Sequence, residues 1–333
     1  MPLHWINFGK EVTIDQLVYT SGRGGDYRIV ASSCKIRKTM EREIERNALV
    51  KYYLSPDIAF IDAIRLFPLP EDKYAISYVT EAGRDEYGRP ERLRAHILML
   101  HANLMNNIID PRTFSHVFLK EDVYGEIEPI RLDVSTLLGE IANRLNNVKR
   151  KLPIILNMFN EDMLKAIISS ILQRKKILII PTNKVLIETV EKHAQITSMD
   201  IIVAFYYLLP RFIRERLLAS SFAIHGEMEN VNIAFLHPMG IIPKRDAVII
   251  DLEEGEVYSV DKKGVRGDAF SAMYTKMITK MVQNERYDVI ESIINVIDSS
   301  FMLLRDLGDK GAKLLQKIID FSYERFMEGE IVD

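Results

Sequence analysis

The sequence of 333 residues contains a single cysteine, Cys34. One cysteine cannot form an intramolecular disulfide, and structural zinc sites usually need several cysteine ligands. None of the seven histidines belongs to an H-E-x-x-H pattern, which would place two zinc ligands on one helix face. The residues therefore predict neither a metal centre nor a bound cofactor.

Long apolar runs are missing as well. Residues 201–209 (IIVAFYYLL) form an apolar run of only nine residues, whereas a helix that spans a bilayer needs about 20. Residues 1–10 lack the basic region and the apolar core of a secretory signal. We therefore expect a soluble, cytoplasmic protein without integral membrane association.

The chain also lacks an excess of basic charge. It has 44 lysines and arginines against 47 aspartates and glutamates, which gives a formal net charge of -3 at pH 7. Dedicated nucleic-acid-binding proteins usually carry a strong basic excess, so no nucleic-acid partner is expected. With 47% hydrophobic and 27% charged residues the chain has an ordinary globular composition, and its length allows two domains.

Residues 1–130 predict a first α/β domain with an antiparallel sheet. Its strands are expected at 12–20, 27–32, 63–70, 74–80 and 93–100, a helix at 39–54, and short helical segments at 103–109 and 112–118. A glycine-rich turn, residues 21–26, joins the first two strands. Phosphate-binding loops open a helix and this turn does not, so we expect a hairpin, whose tip residue Arg23 is a candidate partner contact.

Residues 131–265 predict a second α/β domain, and residues 266–333 predict helices packed on it. Helices are expected at 134–149, 160–173, 184–196 and 211–218, strands at 176–181, 222–225, 231–236, 247–251 and 256–260, and either type at 201–208. The first of these helices should end at the basic residues 149–151, before Pro153. Three closing helices are expected at about 268–283, 286–305 and 311–327.

Two small groups of charged residues are candidate sites. Asp251, Asp261 and Lys263 have the spacing of metal-dependent nucleases, in which two carboxylates hold Mg²⁺ and a lysine helps to activate water. A hairpin turn with solvated charges explains the same three residues. Arg211 and Arg214 lie one helical turn apart at the start of a helix, where the helix dipole does not favour cations, so they are candidates for a partner-binding surface.

Three segments resemble the central domain of DENN proteins in their order and character. They are residues 152–180, 206–228 and 247–258. In that family a helix packs before a strand, a Leu-Pro pair precedes a short helix, and a later strand ends in Asp-Leu. The Leu-Pro pair corresponds here to Leu209-Pro210 and the strand ending in Asp-Leu to Val248–Leu252. A further strand of the family, which begins with Phe and ends in Gly, corresponds to Phe222–Gly226. Residues 16–33 together with 92–100 are similar to the N-terminal domain of GTPase-associated proteins of prokaryotic three-component systems.

The resemblance implies a longin-like α/β domain, a DENN-like three-layer α/β domain and a C-terminal helical segment. It also implies partnership with a small Ras-like GTPase, as in the DENN-domain Rab exchange factors, which promote guanine nucleotide exchange without acid–base chemistry of their own. The usual long linkers are missing here, so GTPase binding is the first expectation and exchange the second. Two alternatives stay open: a metal-dependent nuclease and a structural subunit of a larger complex. Either a homo-oligomer or a hetero-oligomer stays open as well.

Overall fold

The computed structural model describes residues 10–21, 25–50, 62–84, 92–108, 110–119, 123–173, 175–182, 185–186, 196–226, 229–259, 269–304 and 317. Within these ranges the protein has a mixed α/β structure with one large mixed sheet. No helix in them combines the length and the apolar character that crossing a bilayer requires.

The first half of the chain builds an antiparallel sheet with helices. Its elements are β1 (Glu11–Ser21), β2 (Tyr27–Ser32), α1 (Lys38–Asn47), β3 (Ala63–Leu69), β4 (Lys73–Glu81), β5 (Leu93–His101), α2 (Ala102–Ile108), the 3-10 helix η1 (Pro111–Val117), β6 (Gly125–Glu126) and β7 (Ile130–Asp133). The strand order is β3-β4-β5-β1-β2, with β6 parallel to β2 and β7 antiparallel to the start of β1. The five predicted strands of this half are confirmed, because runs of β-branched and apolar residues between turn residues mark strands locally.

The second half builds a mainly parallel sheet and most of the helices. Its elements are α3 (Val134–Leu156), α4 (Glu161–Leu172), β8 (Lys176–Ile180), β9 (Val185–Leu186), β10 (Ile196–Thr197), α5 (Ser198–Leu208), α6 (Arg211–Arg214), β11 (Ala219–His225), β12 (Ile233–Ile241), β13 (Ala247–Asp251), β14 (Glu256–Ser259), α7 (Ala269–Gln283) and α8 (Tyr287–Leu304). The strand order is β14-β13-β8-β12-β11, in which only β14 is antiparallel to its neighbour. As predicted, β8 is a central strand with parallel neighbours on both sides.

The two halves share one continuous sheet. β3 pairs with β11 in antiparallel register, with Leu66 opposite Ala219 and Arg65 opposite Ser220. Arg65 is buried at this junction, where its guanidinium lies 2.7 Å from the carboxylate of Glu229. A buried arginine without a partner would be strongly destabilising, so this ion pair helps to fix the junction. The predicted domain boundary at residue 130 therefore falls within one continuous sheet. The division of the chain into separate domains stays a prediction.

The core lies on both faces of this sheet. Most of the helices of the second half pack on one face, which Ile177 and Ile179 of β8 help to form. On the opposite face α1 covers the first half, and a smaller apolar cluster around Leu178 lies in the second half. The alternation of residues 177, 178 and 179 between the two faces follows from the two-residue repeat of a strand.

Two predictions about helices need correction. The predicted end of α3 at residues 149–151 is wrong, because the helix continues through Pro153 to Leu156. Pro153 has no N–H to donate to the carbonyl of Lys149, but the hydroxyl of Tyr287 in α8 donates to that oxygen at 3.0 Å instead. Residues 201–208, for which the sequence left helix and strand open, belong to helix α5. Every residue of this helix is buried, and therefore neither a helical nor a strand periodicity appears in the sequence.

Other predicted elements differ at their ends or lie outside the described residues. The predicted helix at 211–218 is shorter and ends at Arg214. The predicted helix at 184–196 is wrong where the structure describes it, since Val185–Leu186 and Ile196–Thr197 form a parallel pair of short strands; residues 187–195 lie outside the described ranges. The third closing helix at 311–327 also lies outside them, apart from residue 317.

Candidate functional site

Arg211 contacts helix α8 within the same chain. Its backbone N–H donates to the carboxylate of Asp298 at 2.8 Å, so a side chain of α8 caps the first turn of α6. Its guanidinium lies 3.3 Å from the side-chain oxygen of Asn295. Pro210 precedes the first helical residue, as the sequence predicts. The Arg211 side chain therefore joins α6 to α8, and its contact with a partner stays a prediction.

Arg214 is buried and does not lie on an exposed helix face. Its guanidinium donates to the carbonyl oxygens of Leu209 at 2.5 Å and Tyr207 at 2.9 Å, which are main-chain groups at the end of α5. Burial lowers the pKa of Arg214 to about 10, and the nearby carboxylate of Asp298 opposes this shift. The expectation that the two arginines share an outward face is therefore wrong for Arg214, because α6 packs with this side chain turned towards the core.

Lys149 also contributes to the contact between α3 and α8. Its ammonium lies 2.7 Å from the carboxylate of Glu291 and 5.9 Å from the ring centres of Tyr207 and Tyr287. The hydroxyl of Tyr207 donates to the same carboxylate at 3.0 Å. Burial and the charge of Glu291 raise the pKa of Tyr207, which keeps the hydroxyl protonated as the donor. Lys149 and Arg211 thus hold α8 against α3, α5 and α6.

A buried network of four charged side chains joins η1, α3 and α5. Arg112 donates to Asp110 at 2.7 Å and to Asp200 at 2.9 Å, and Lys151 donates to Asp200 at 2.9 Å. Burial alone would raise the pKa of Asp200, but Arg112, the backbone N–H of Thr197 and Lys151 outweigh it and lower the pKa. The network thus pairs two acidic side chains with two basic ones. Asp110 also caps η1, because its side chain accepts the backbone N–H of Arg112.

Asp251 closes a turn at the end of β13. One of its carboxylate oxygens accepts the backbone N–H groups of Glu253 at 3.0 Å and Glu254 at 3.1 Å, which closes the β13–β14 hairpin. Asp261 and Lys263, the other two members of the predicted nuclease set, lie outside the described residues, as does Arg23. Among the residues that the structure describes, no group of three or more His, Cys, Asp or Glu side chains is arranged to hold a metal ion.

His96 is buried and satisfied by hydrogen bonds, as the sequence led us to expect. Its Nε2 lies 2.8 Å from the side-chain oxygen of Gln16, and its Nδ1 accepts the backbone N–H of Leu119 at 3.0 Å. Burial, with a contribution from Arg94, lowers the pKa of His96 to about 4. The ring is therefore neutral at pH 7, with Nε2 as its donor, and it has a structural role.

The sequence reasoning missed an exposed stretch that follows the buried part of β12, which we call the apolar–basic segment (residues 237–245). The register changes from Ala223 opposite Leu236 to His225 opposite Ile241, so β12 advances five residues while β11 advances two. The extra residues form a bulge. Met239, at its tip, exposes 57% of its surface. Apolar residues between two prolines, in HPMGIIP, were the sequence signal that could have found it.

No family model matches the sequence, and no curated protein matches it either.

Proposed function

We propose that this protein binds a small Ras-like GTPase and regulates its nucleotide state. The observation that carries the proposal is the order of elements in the second half. Helix α4 precedes the central strand β8, Leu209-Pro210 precede the short helix α6, and strand β13 ends in Asp251-Leu252. This is the order of features on which the resemblance to DENN proteins rests, and here these strands lie in one sheet.

The first half adds further support. An antiparallel sheet with α1 on one face precedes the mainly parallel part, and the resemblance calls for a longin-like domain of antiparallel sheet and helices at this place. The proposed architecture is accordingly a longin-like half joined through β3 and β11 to a DENN-like half, with α7 and α8 following. Under this proposal the shared sheet holds the two halves in a fixed orientation towards the GTPase.

The proposed mechanism is differential binding. A regulator that binds the nucleotide-free form of a GTPase more tightly than the nucleotide-bound form shifts the population towards the empty form. The shift is limited by the ratio of the two affinities, so no acid–base group of the regulator is required. With comparable affinity for both forms the protein would act as a scaffold.

A nucleotide-release assay tests the proposal. Each Ras-like GTPase encoded in the source genome is loaded with fluorescent GDP and mixed with the purified full chain and excess unlabelled GTP. We expect one of them to bind the chain and to release GDP faster. Binding without acceleration would leave the scaffold version, and the absence of binding to every GTPase at the highest soluble concentration would overturn the proposal.

Substitutions then test the predicted contact residues. Arg23→Ala and Arg211→Ala should weaken GTPase binding if these side chains reach the partner. Arg150→Ala is the matched control, since Arg150 is exposed on α3 and contacts only Asn147 among the residues described. Arg214 is unsuitable for this test, because loss of its hydrogen bonds would disturb the end of α5.

A further inference from the structure

Three exposed apolar side chains are presented together by the apolar–basic segment. Met239, Ile241 and Ile242 expose 57%, 50% and 42% of their residue surface. The backbone that carries them is closely held. A Cβ on Gly240 would lie 2.7 Å from a main-chain oxygen of β11, and the N–H of Gly226 donates to the carbonyl of Ile241 at 2.8 Å. The three side chains are therefore exposed on a backbone of defined conformation, within the bulge and directly after it.

Cations flank these apolar side chains. Lys244 and Arg245 follow them after Pro243, are exposed, and have no ion-pair partner among the residues that the structure describes. Lys176 lies on the same face of the sheet, since its ammonium donates to the carbonyl of Gly226 at 2.7 Å. Asp246, the next residue, is the acidic neighbour in sequence. The segment is thus locally basic on a chain whose net charge is -3.

The acidic residues of the β13–β14 hairpin are well separated from this group. Lys244 and Arg245 precede β13, whereas Glu253 and Glu254 follow it. A strand of this length places the two groups roughly 15 Å apart, which exceeds the Debye length of about 8 Å at physiological ionic strength. An anionic surface that approaches the apolar side chains therefore meets the cations first.

We propose that the apolar–basic segment docks on a membrane surface that carries anionic phospholipids. Exposed apolar side chains can enter the headgroup layer while the flanking cations attract the lipid head groups. A stable protein interface buries about 800 Å² on each partner and needs a complementary surface, whereas a bilayer accepts a small projecting group. The proposal goes beyond GTPase binding, since it needs no protein partner.

Vesicle sedimentation of the full chain tests the proposal. We expect the chain to sediment with vesicles of equal parts phosphatidylcholine and phosphatidylserine, to detach as salt is raised, and to stay in solution with phosphatidylcholine alone. Lys244→Glu with Arg245→Glu should weaken binding more than tenfold, because each cation near an anionic surface contributes about fivefold. Ile241→Asn with Ile242→Asn should weaken it about tenfold or more, through loss of apolar insertion.

A matched pair on another part of the molecule is the control. Ile154 exposes 56% of its surface and Arg150 is exposed, and both lie on α3, which packs on the opposite face of the sheet from Leu178. Ile154→Asn with Arg150→Glu should leave vesicle binding within about twofold. Thermal unfolding of each variant shows that it is folded.

Two results would overturn the membrane proposal. One is equal sedimentation of the wild-type chain with both kinds of vesicle. The other is a loss of binding in the control pair as large as in the test pairs. If the chain does not bind vesicles but accelerates GDP release, the membrane proposal fails and the GTPase proposal stands. If it binds vesicles but no GTPase, the GTPase proposal fails and the membrane proposal stands.

Discussion

The hydrogen bond from Tyr287 to the Lys149 carbonyl leads to a quantitative prediction. Pro153 cannot donate the helical hydrogen bond to that carbonyl, and the hydroxyl of Tyr287 occupies the place of the missing donor at 3.0 Å. Tyr287→Phe removes only the hydroxyl and leaves the carbonyl without this donor. Pro153→Ala restores the N–H that an uninterrupted helix would supply. The two substitutions should therefore be strongly coupled.

The expected magnitude follows from the cost of an unpaired main-chain group. Loss of a partner for a buried polar group costs about 1–3 kcal/mol. Tyr287 is half-buried, and water can partly replace its hydroxyl, so we expect Tyr287→Phe to lower the free energy of unfolding by about 1.5 kcal/mol. In the Pro153→Ala background the same substitution should cost less than about 0.5 kcal/mol, because the alanine N–H then donates to the Lys149 carbonyl.

A double-mutant cycle measures this coupling. The wild-type chain, both single variants and the double variant are unfolded in urea and followed by far-ultraviolet circular dichroism. With a common slope, the shifts in midpoint convert to differences in the free energy of unfolding. A coupling energy near 1 kcal/mol is expected for contacting groups. An equal cost of Tyr287→Phe in both backgrounds would refute the reasoning, since the hydroxyl would then not replace the missing donor.

Three further predictions concern buried charge and turns. The pKa of His96 is about 4 in the fold against about 6.5 unfolded, so its stabilisation is fully present above pH 6.5 and is lost as the pH falls through 4. His96 should therefore make the free energy of unfolding about 2 kcal/mol lower at pH 5 than at pH 8. The substitution His96→Asn should remove this pH dependence. Arg112→Leu leaves Asp110 and Asp200 without a shared cation and should cost about 3–5 kcal/mol in urea unfolding, whereas Arg150→Leu should cost almost nothing. Asp251→Ala should lower the thermal stability by about 1 kcal/mol through loss of its turn contacts and Asp251→Asn by less; equal costs would contradict the turn role.

Helix α8 contacts Arg211, one of the predicted partner-binding residues, and also Lys149. Asp298 caps α6, and Glu291 binds both Lys149 and the hydroxyl of Tyr207. These contacts connect α8 to three other helices of the second half. A GTPase that displaced α8 would therefore have to replace several charged contacts, so the proposed binding is expected to leave α8 in place.

Local chemistry explains which predictions are confirmed. The caps Asp110, Asp133 and Asn160 each accept a backbone N–H near the start of the following helix. A cap depends on residues within one helical turn, so the sequence alone suffices to place it. The antiparallel strands of the first half were equally visible, because runs of β-branched and apolar residues between turn residues mark them locally.

The candidate site was predictable only in part. The sequence marked Arg211 and Arg214 as a pair, but their spacing cannot tell that Asp298, more than 80 residues later, approaches the start of their helix. It marked Asp251 as the end of a strand, and a hairpin turn was among the explanations considered. The buried network of Arg112, Lys151 and Asp200 was not found, since its members come from three separate segments of the chain.

The sequence by itself determined the mixed α/β character, the antiparallel strands of the first half and the helix caps, because each depends on neighbours a few residues apart. Only the tertiary structure decided that β3 pairs with β11 to join the halves into one sheet. It also decided that α3 continues through Pro153, because the compensating hydroxyl comes from Tyr287, 134 residues later in the chain. Such contacts depend on three-dimensional packing, which local patterns do not record.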